Sequence, residues 1–288
     1  MTRATVLIPT FDHAATLPLT VESVQAQTMT DFEILIVGDG VTSSVRQVAL
    51  ALEADDERVT FLDFPKGPNH GEIHRHTAIQ QSAGEVIAYL CDDDLMLPEH
   101  LADLSGLLES RDFVQSLNGR IDPDGTFHLY PGDLSDSAFV YRLCDINRGF
   151  SFVSITGTAH TRALYDRAQC PWETTPAGEW PDQYQWRRML MSGVVIGATS
   201  TRMTALSFPT HMSGRASWTP SERAAEIESW AAIVRAPLAQ QEVDRRTAAA
   251  AWRQLVKTTL NELQVHEMLK LANDELERLQ NPGKTDSG

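Results

Sequence analysis

Residues 6–40 read VLIPTFDHAATLPLTVESVQAQTMTDFEILIVGDG, and this stretch decides the fold class. Thr5–Ile8 is a short β-branched run closed by Pro9, the mark of a buried strand. Leu17–Gln27 then places Leu17, Val21 and Val24 at helical spacing. Phe32–Val37 is a second strand, closed by Gly38-Asp39-Gly40. The alternation continues with a helix over Ser43–Ala54, a strand over Val59–Phe61, a helix over Gly71–Ser82 and a strand over Glu85–Leu90. Crossovers this short imply a mostly parallel sheet covered by helices on both faces, an α/β fold. Ligands on such sheets bind beyond the carboxyl ends of the strands. Pro9-Thr10-Phe11-Asp12, Gly38-Asp39-Gly40 and Cys91-Asp92-Asp93-Asp94 occupy those ends.

Further along, the pattern loosens. Asp112–Leu117 and Thr126–Tyr130 read as strands flanking a turn at Asp122-Pro123-Asp124-Gly125. Phe150–Ile155 is another apolar run, and Trp172–Trp180 a loop rich in Pro, Gly and Thr. A helix is predicted from Pro181 to Ser192, with Pro favourable in a first turn because its missing N–H has no partner there anyway. Val194–Ile196 and Thr204–Phe208 are expected to return to the sheet. Past Pro220 the composition becomes helical. Trp252, Val256, Leu260 and Leu263, then Met268, Ala272, Leu276 and Leu279, keep helical spacing with a slip near His266. This stripe either packs back on the domain or forms a homodimer contact through the C-terminal helices. Residues 281–288 are expected to be disordered.

Composition narrows the function classes. The 288 residues carry 39 acidic and 24 basic side chains, a net charge of −15. Such a chain makes a poor general binder of nucleic acid, because phosphate contacts need a basic footprint. The excess sits in residues 1–220, with 28 acidic against 15 basic residues; residues 221–288 hold 11 and 9. Three scattered cysteines, Cys91, Cys144 and Cys170, argue against a disulfide framework and fit a reducing, cytoplasmic setting. No apolar run reaches transmembrane length, and the N-terminal one is too short for a signal-peptide core.

The triplet Asp92-Asp93-Asp94 follows the strand Val86-Ile87-Ala88-Tyr89-Leu90. Adjacent carboxylates repel one another unless a positive charge joins them. A divalent cation answers that need, and hard oxygen ligands suit Mg²⁺ or Mn²⁺. The bland alternative is a solvated acidic turn.

At this point the residues resemble a known family. VLIPTFDHAATLPLTVESVQAQTMTDFEILIVGDG is similar to the opening of family 2 glycosyltransferases, which have the GT-A fold. GPNHGEIHRHTAIQQSAGEVIAYLCDDDLMLPEHL resembles the family's G-x-x-x-A-R-N-x-G helix, its D-x-D strand and its L-x-P. The resemblance implies a GT-A domain over residues 1–220, with a nucleotide-sugar half (1–117) and an acceptor half (118–220), followed by a helical extension over 221–280. It implies an enzyme that moves a sugar from a nucleotide diphosphate donor to an acceptor hydroxyl, with inversion and a divalent metal. A glycan or lipid-linked acceptor of surface polysaccharide synthesis would follow, reached by peripheral membrane contact through the extension if it is lipid-linked.

Carried over residue by residue, Pro9, Thr10 and Asp12 fall where the first strand's loop meets the nucleoside. Asp39 matches the second acid of V-D-D-G and would accept from a uracil or thymine N3–H, favouring a UDP-type donor. Arg75 matches the Arg of A-R-N, near base or phosphates; Asp92 and Asp93 match ribose and metal contacts, with Asp94 the next candidate. The chain departs from the pattern at Gly38, His76, Ala78 and Cys91. GEWPDQYQWRRMLMSG resembles the family's E-D-x-x-L-W-x-R-L helix and places Asp182 on the catalytic base, with Glu179 as its rival. Asp182 could instead simply cap the helix.

His211 is a candidate third metal ligand, since some GT-A enzymes supply a C-terminal His, although a lone His is more often structural. His160 stands where the acceptor side begins, and Trp172, Trp180 and Trp186 could stack on sugars or fill the core. Two other readings compete. A nucleotidyltransferase would open with a Gly-rich, Lys- or Arg-bearing phosphate loop, which IPTFDHAATL lacks. A noncatalytic sugar-binding module would tolerate the departures at Gly38 and Cys91.

Overall fold

The structure, a computed structural model, describes residues 3–146, 151–210 and 214–280. Its first elements are β1 (Ala4–Thr10), α1 (Leu17–Gln25), β2 (Phe32–Asp39), α2 (Ser43–Asp55), β3 (Val59–Phe64), α3 (Ile73–Gln81) and β4 (Val86–Tyr89). There follow β5 (Leu95–Met96), α4 (His100–Leu108), β6 (Phe113–Gln115), β7 (Gly119–Ile121), β8 (Phe127–Leu129) and α5 (Ser137–Cys144). The chain continues through β9 (Thr158–Thr161), α6 (Arg162–Ala168), α7 (Pro181–Leu190), β10 (Gly197–Thr199) and β11 (Ala205–Leu206). It ends in α8 (Pro220–Val234) and α9 (Ala239–Gln280).

The main sheet has the order β10-β6-β9-β4-β1-β2-β3. Its pairs are parallel except those of β9, which runs antiparallel to both β4 and β6. This is the mostly parallel α/β sheet expected from the sequence. Alternate residues of each strand enter different cores, because side chains change face at every step. Val6, Ile8, Ile34 and Ile36 pack with α1 and α2, whereas Leu7, Leu35 and Val37 pack with α3 and α7. Burial on both faces is why these strands read as continuous apolar runs.

The strand order opens the binding crevice. β2 and β3 build outward from one side of β1, and β4 returns to the other. β1 stays paired with β2 through Thr10 but with β4 only as far as Leu7. The two strands therefore part at their carboxyl ends, at the topological switch point. Pro9 lies where β4 has already left, so its missing N–H removes no ladder bond on that side.

A polar stripe on α1 fixes the segment after β4. Thr16 and Thr20 hydroxyls donate to the Asp92 and Asp94 carbonyls, both at 2.9 Å. Ser23 Oγ accepts from Met96 N at 3.1 Å, and Gln27 Oε1 from Leu101 N at 2.8 Å. Spacings of four, three and four residues keep these side chains on one helical face.

Several expectations shift. Phe150 lies outside the described residues, and residues 151–155 form no strand although Phe152 and Val153 are buried. The strand comes later, as β9. Val194–Ile196 does not join the sheet: Val194 is 89% exposed, and pairing starts at Gly197. Ala205–Leu206 pairs with β5 in a separate small sheet rather than the main one. The cysteines are free among the described residues. The described helices include none long and apolar enough to cross a membrane.

The C-terminal extension divides, and the predicted stripe is not the part that packs on the domain. Ile227, Trp230 and Val234 of α8, with Ala239, Val243 and Ala250 of α9, share a core with Leu95, Ile121 and Phe127. Gln254 still pairs with the Leu129 backbone. The predicted stripe itself is exposed, at Trp252, Val256, Leu260, Leu263, Met268 and Leu276. Residues 281–288 lie outside the described residues.

Candidate active site

A cleft of about 780 Å³ lies at the parting of β1 and β4. Its lining divides by sequence into a first wall, Pro9, His13, Arg75 and the acidic triplet, and a second, Asn118, Tyr130, Thr156, Trp180, Asp182 and Thr210, whose Thr156 and Thr210 hydrogen-bond the triplet. The size suits a ligand larger than a single sugar.

The three aspartates are not equivalent. Asp92 Oδ1 lies 2.7 Å from His13 Nδ1, and this hydrogen bond raises the His13 pKa from 6.5 to about 9 against the cost of burial. Asp93 Oδ2 accepts from Arg223 Nη2 at 2.7 Å and from Thr210 Oγ1 at 3.2 Å. Asp94 spends both oxygens inside the fold, Oδ1 on Phe208 N at 2.7 Å and Oδ2 on Thr156 Oγ1 at 2.5 Å. Burial pushes the carboxyls of Asp93 and Asp94 upward. The ligand atoms that converge within 4.8 Å belong to His13, Asp92 and Asp93. A hard divalent cation fits this nitrogen and carboxylate set. Asp94, expected as a further metal ligand, instead ties the triplet to residues 156 and 208. His211 lies outside the described residues.

Arg75 lines the same cleft and is buried, with its guanidinium Cζ 4.5 Å from the Trp172 ring centroid. Its Nε and Nη1 have no hydrogen-bond partner among the described residues. Buried cationic donors without acceptors are costly. Asp182 stands in the first turn of α7 and lines the same space. Burial raises its pKa, outweighing the Gln183 N–H at 2.9 Å and the nearby Arg75 charge. Glu179, its rival, is ion-paired with Arg187 and is absent from the cleft lining.

Asp39 is held by its own neighbourhood. Gly67 N donates to Oδ1 at 2.6 Å, and Lys66 Nζ donates to Oδ2. Gly71, at φ +62, presses so closely that a Cβ there would lie 2.1 Å from the Asp39 Cγ. The departure at Gly38 has a packing cause, since a Cβ would meet the Phe61 ring at 2.9 Å. Thr10 is buried with no hydroxyl partner among the described residues, and Asp12 is exposed, 3.8 Å from His13 Nε2.

His160 is a core residue: it sits on β9, buried, 2.8 Å from the Tyr89 hydroxyl, and burial lowers it to about 4. Trp172 and Trp186 are buried against each other, whereas Trp180 is 51% exposed and lines the cleft. Sequence reasoning missed His13, Thr156, Thr210 and Arg223. His13 adjoins Asp12 in a strand-end loop and could have been noticed. The others reach the triplet from 62 to 130 residues away, where spacing carries no signal.

Comparison with known proteins places the chain in a family. The model of glycosyl transferase family 2 matches residues 5–168. The GalNAc(5)-diNAcBac-PP-undecaprenol β-1,3-glucosyltransferase of Campylobacter jejuni is 29% identical over 107 residues, 36% of this chain and 34% of that protein. The poly(ribitol-phosphate) β-N-acetylglucosaminyltransferase TarP of Staphylococcus aureus is 29% identical over 161 residues, 50% of this chain and 47% of that one. The chain thus spans between a third and a half of these relatives' lengths. Crystal structures of S. aureus TarS 1–349 with UDP-GlcNAc superpose with TM-score 0.54 at 18% identity, over 86% of this chain and 71% of that one. The mannosyltransferase PcManGT of Pyrobaculum calidifontis, in complex with GDP-Man and Mn²⁺, gives 0.52 at 15%, over 90% and 79%. These last two share the fold. The family match runs from β1 through the acidic triplet to α6, more than half of the sequence, and the chain belongs to glycosyl transferase family 2.

Proposed function

We propose that the chain is an inverting, divalent-metal-dependent transferase. It would move a sugar from a nucleotide diphosphate donor, UDP-type favoured, to an acceptor hydroxyl in surface glycan synthesis. The observation that carries this reading is the presence, in one cleft, of unpartnered buried Arg75 donors and the His13, Asp92 and Asp93 cluster. Asp92 and Asp93 would hold Mn²⁺ or Mg²⁺, which when bound supplies positive charge for the departing diphosphate. Arg75 would receive a phosphate oxygen. Asp182, kept basic enough by burial, would take the acceptor hydroxyl's proton. The acceptor oxygen then bonds to the anomeric carbon as its bond to the diphosphate breaks, and a single displacement inverts that centre. The β-linkages in the two relatives' names support inversion, and their lipid-linked and ribitol-phosphate acceptors support a glycan or lipid-linked acceptor.

For the nucleoside, Asp39 retains acceptor capacity beside Lys66 and would still meet an imide N–H. On α9, a helix–helix contact with a second copy is favoured over an anionic membrane. The exposed segment begins basic at Arg253 and Lys257 and turns net acidic at Glu262, Glu267 and Asp274, with Lys270 among them, so antiparallel copies pair opposite net charges. A single-chain mass at sedimentation equilibrium would sink that contact, and binding to anionic vesicles would replace it.

The test is incubation with Mn²⁺ and a panel of UDP-, GDP- and dTDP-sugars. Donor-dependent thermal stabilisation and slow release of the nucleoside diphosphate are expected, greatest with a UDP-sugar. Pyrophosphate formation from a sugar phosphate and a nucleoside triphosphate would overturn the transferase reading. A protein stabilised by no nucleotide would be a noncatalytic module.

A further inference from the structure

A buried row of alternating charges runs from the cleft into the C-terminal extension. Asp93 is followed by Arg223, then Glu226, then Arg215, with side chains at most 10% exposed. Arg223 Nη2 donates to Asp93 Oδ2 at 2.7 Å and to the Phe208 carbonyl at 2.8 Å. Its Nη1 donates to Glu226 Oε2 at 2.5 Å. Arg215 grips the same carboxylate, with Nε 2.8 Å from Oε2, and anchors to the Ile121 carbonyl at 2.7 Å. A capping box between Thr219 and Glu222 starts α8 and fixes Arg223 in its first turn.

A carboxylate has two oxygens to offer, and Arg223 with Thr210 takes one. Only Oδ1 of Asp93 remains for a cation. The guanidinium also sets a positive charge behind that cation's place, and like charges at such range repel strongly when buried. A nucleoside diphosphate brings the negative charge that offsets this repulsion. We infer that Arg223, carried by α8, is a positioning residue that holds Asp93 with one oxygen free and makes cation binding there dependent on the diphosphate. The inference rests on the reading of His13, Asp92 and Asp93 as a cation site. It also makes residues 221–280 part of the donor site rather than a separate unit.

The test measures free Mn²⁺ by electron paramagnetic resonance, with and without UDP, alongside melting temperature and donor turnover. In Arg223→Gln, Mn²⁺ without UDP should bind roughly 3–10-fold more tightly, because a repelling charge is gone and a second oxygen is released. The enhancement of Mn²⁺ binding by UDP should shrink by a similar factor. Turnover should fall more than the donor KM changes, because Asp93 loses its fixed orientation. Arg223→Lys should bind Mn²⁺ as the wild type does. Glu226→Gln should weaken Mn²⁺ binding without UDP, since the Arg223 charge then bears undivided on Asp93. A folded Arg223→Gln protein that binds Mn²⁺ no more tightly overturns the inference. Should that variant not fold, tighter or unchanged binding in Glu226→Gln overturns it. A wild type that binds no Mn²⁺, with or without UDP, overturns the cation reading itself. That result differs from an intact wild-type site that ignores Arg223.

Discussion

On one wall of the cleft, Pro9, His13, Arg75, Asp92 and Asp93 all come from residues 9–93, at strand ends and on α3 beside the parting of β1 and β4. On the other, Thr156, Trp180, Asp182 and Thr210 come from loops and one helix start, joined by Arg223 reaching in from α8. The first wall is set by sheet topology, which places every βα loop on the same edge. The second is assembled by contacts between segments far apart in sequence. Chemistry that needs fixed charge separation is concentrated on the first wall; Trp180 and Asp182, which would meet the acceptor, belong to the second, while its Thr156, Thr210 and Arg223 hold the triplet.

The sharpest way to break this division is Asp182→Asn. It should leave Mn²⁺-dependent donor binding intact while lowering kcat by on the order of 10²–10⁴-fold, the usual worth of a general base. Near-normal turnover would move the base elsewhere. Next come two aspartates of the acidic triplet, Asp93 and Asp94. Asp93→Asn should weaken cation-dependent donor binding by at least about 10–100-fold with little change in melting temperature. Asp94→Ala should do the reverse, destabilising the fold by about 1–3 kcal/mol as Phe208 N and Thr156 Oγ1 lose their acceptor. Calorimetric unfolding beside donor titration separates the two; matching behaviour would erase the distinction drawn between them.

Trp180→Ala probes the second wall alone. It should raise the acceptor KM roughly 2–10-fold, the loss of one aromatic contact, and leave the donor KM unchanged. A change in donor KM instead would merge the two walls. A further effect concerns the buried core beside the cleft. Burial lowers His160 to about 4 and His100 to about 3. A folded pKa below the unfolded 6.5 adds stability that is present above 6.5 and lost as pH falls. The melting temperature should therefore drop between pH 6.5 and about 4, and more gently in His160→Gln.

The same contrast explains what could be read without coordinates. The strands and helices through β4 were legible because their apolar residues repeat at periods of two and 3.6, and because each strand ends in turn residues. Asp39, Arg75, Asp92 and Asp93 were legible because family motifs hold them in register. β9 was not: its residues Thr158-Ala159-His160-Thr161 are short and half polar, and burial between two strands, not pattern, makes them a strand. The distinction between Asp93 and Asp94 was equally hidden, since identical neighbours differ only in which distant donor each one meets. The exposed stripe of α9 kept helical spacing, but spacing does not say where the body of the domain ends.

The polar stripe of α1 acts as a ruler. Thr16, Thr20 and Ser23 each read one backbone position between Asp92 and Leu101, and Gln27 reads two, the Leu97 carbonyl and the Leu101 N–H. A substitution costs one of these bonds at the first three and two at Gln27. A residue inserted after Asp92 would carry the Asp94, Met96 and Leu101 contacts out of step together. The stretch that carries the acidic triplet can thus drift in chemistry, as Cys91 has, but not in length.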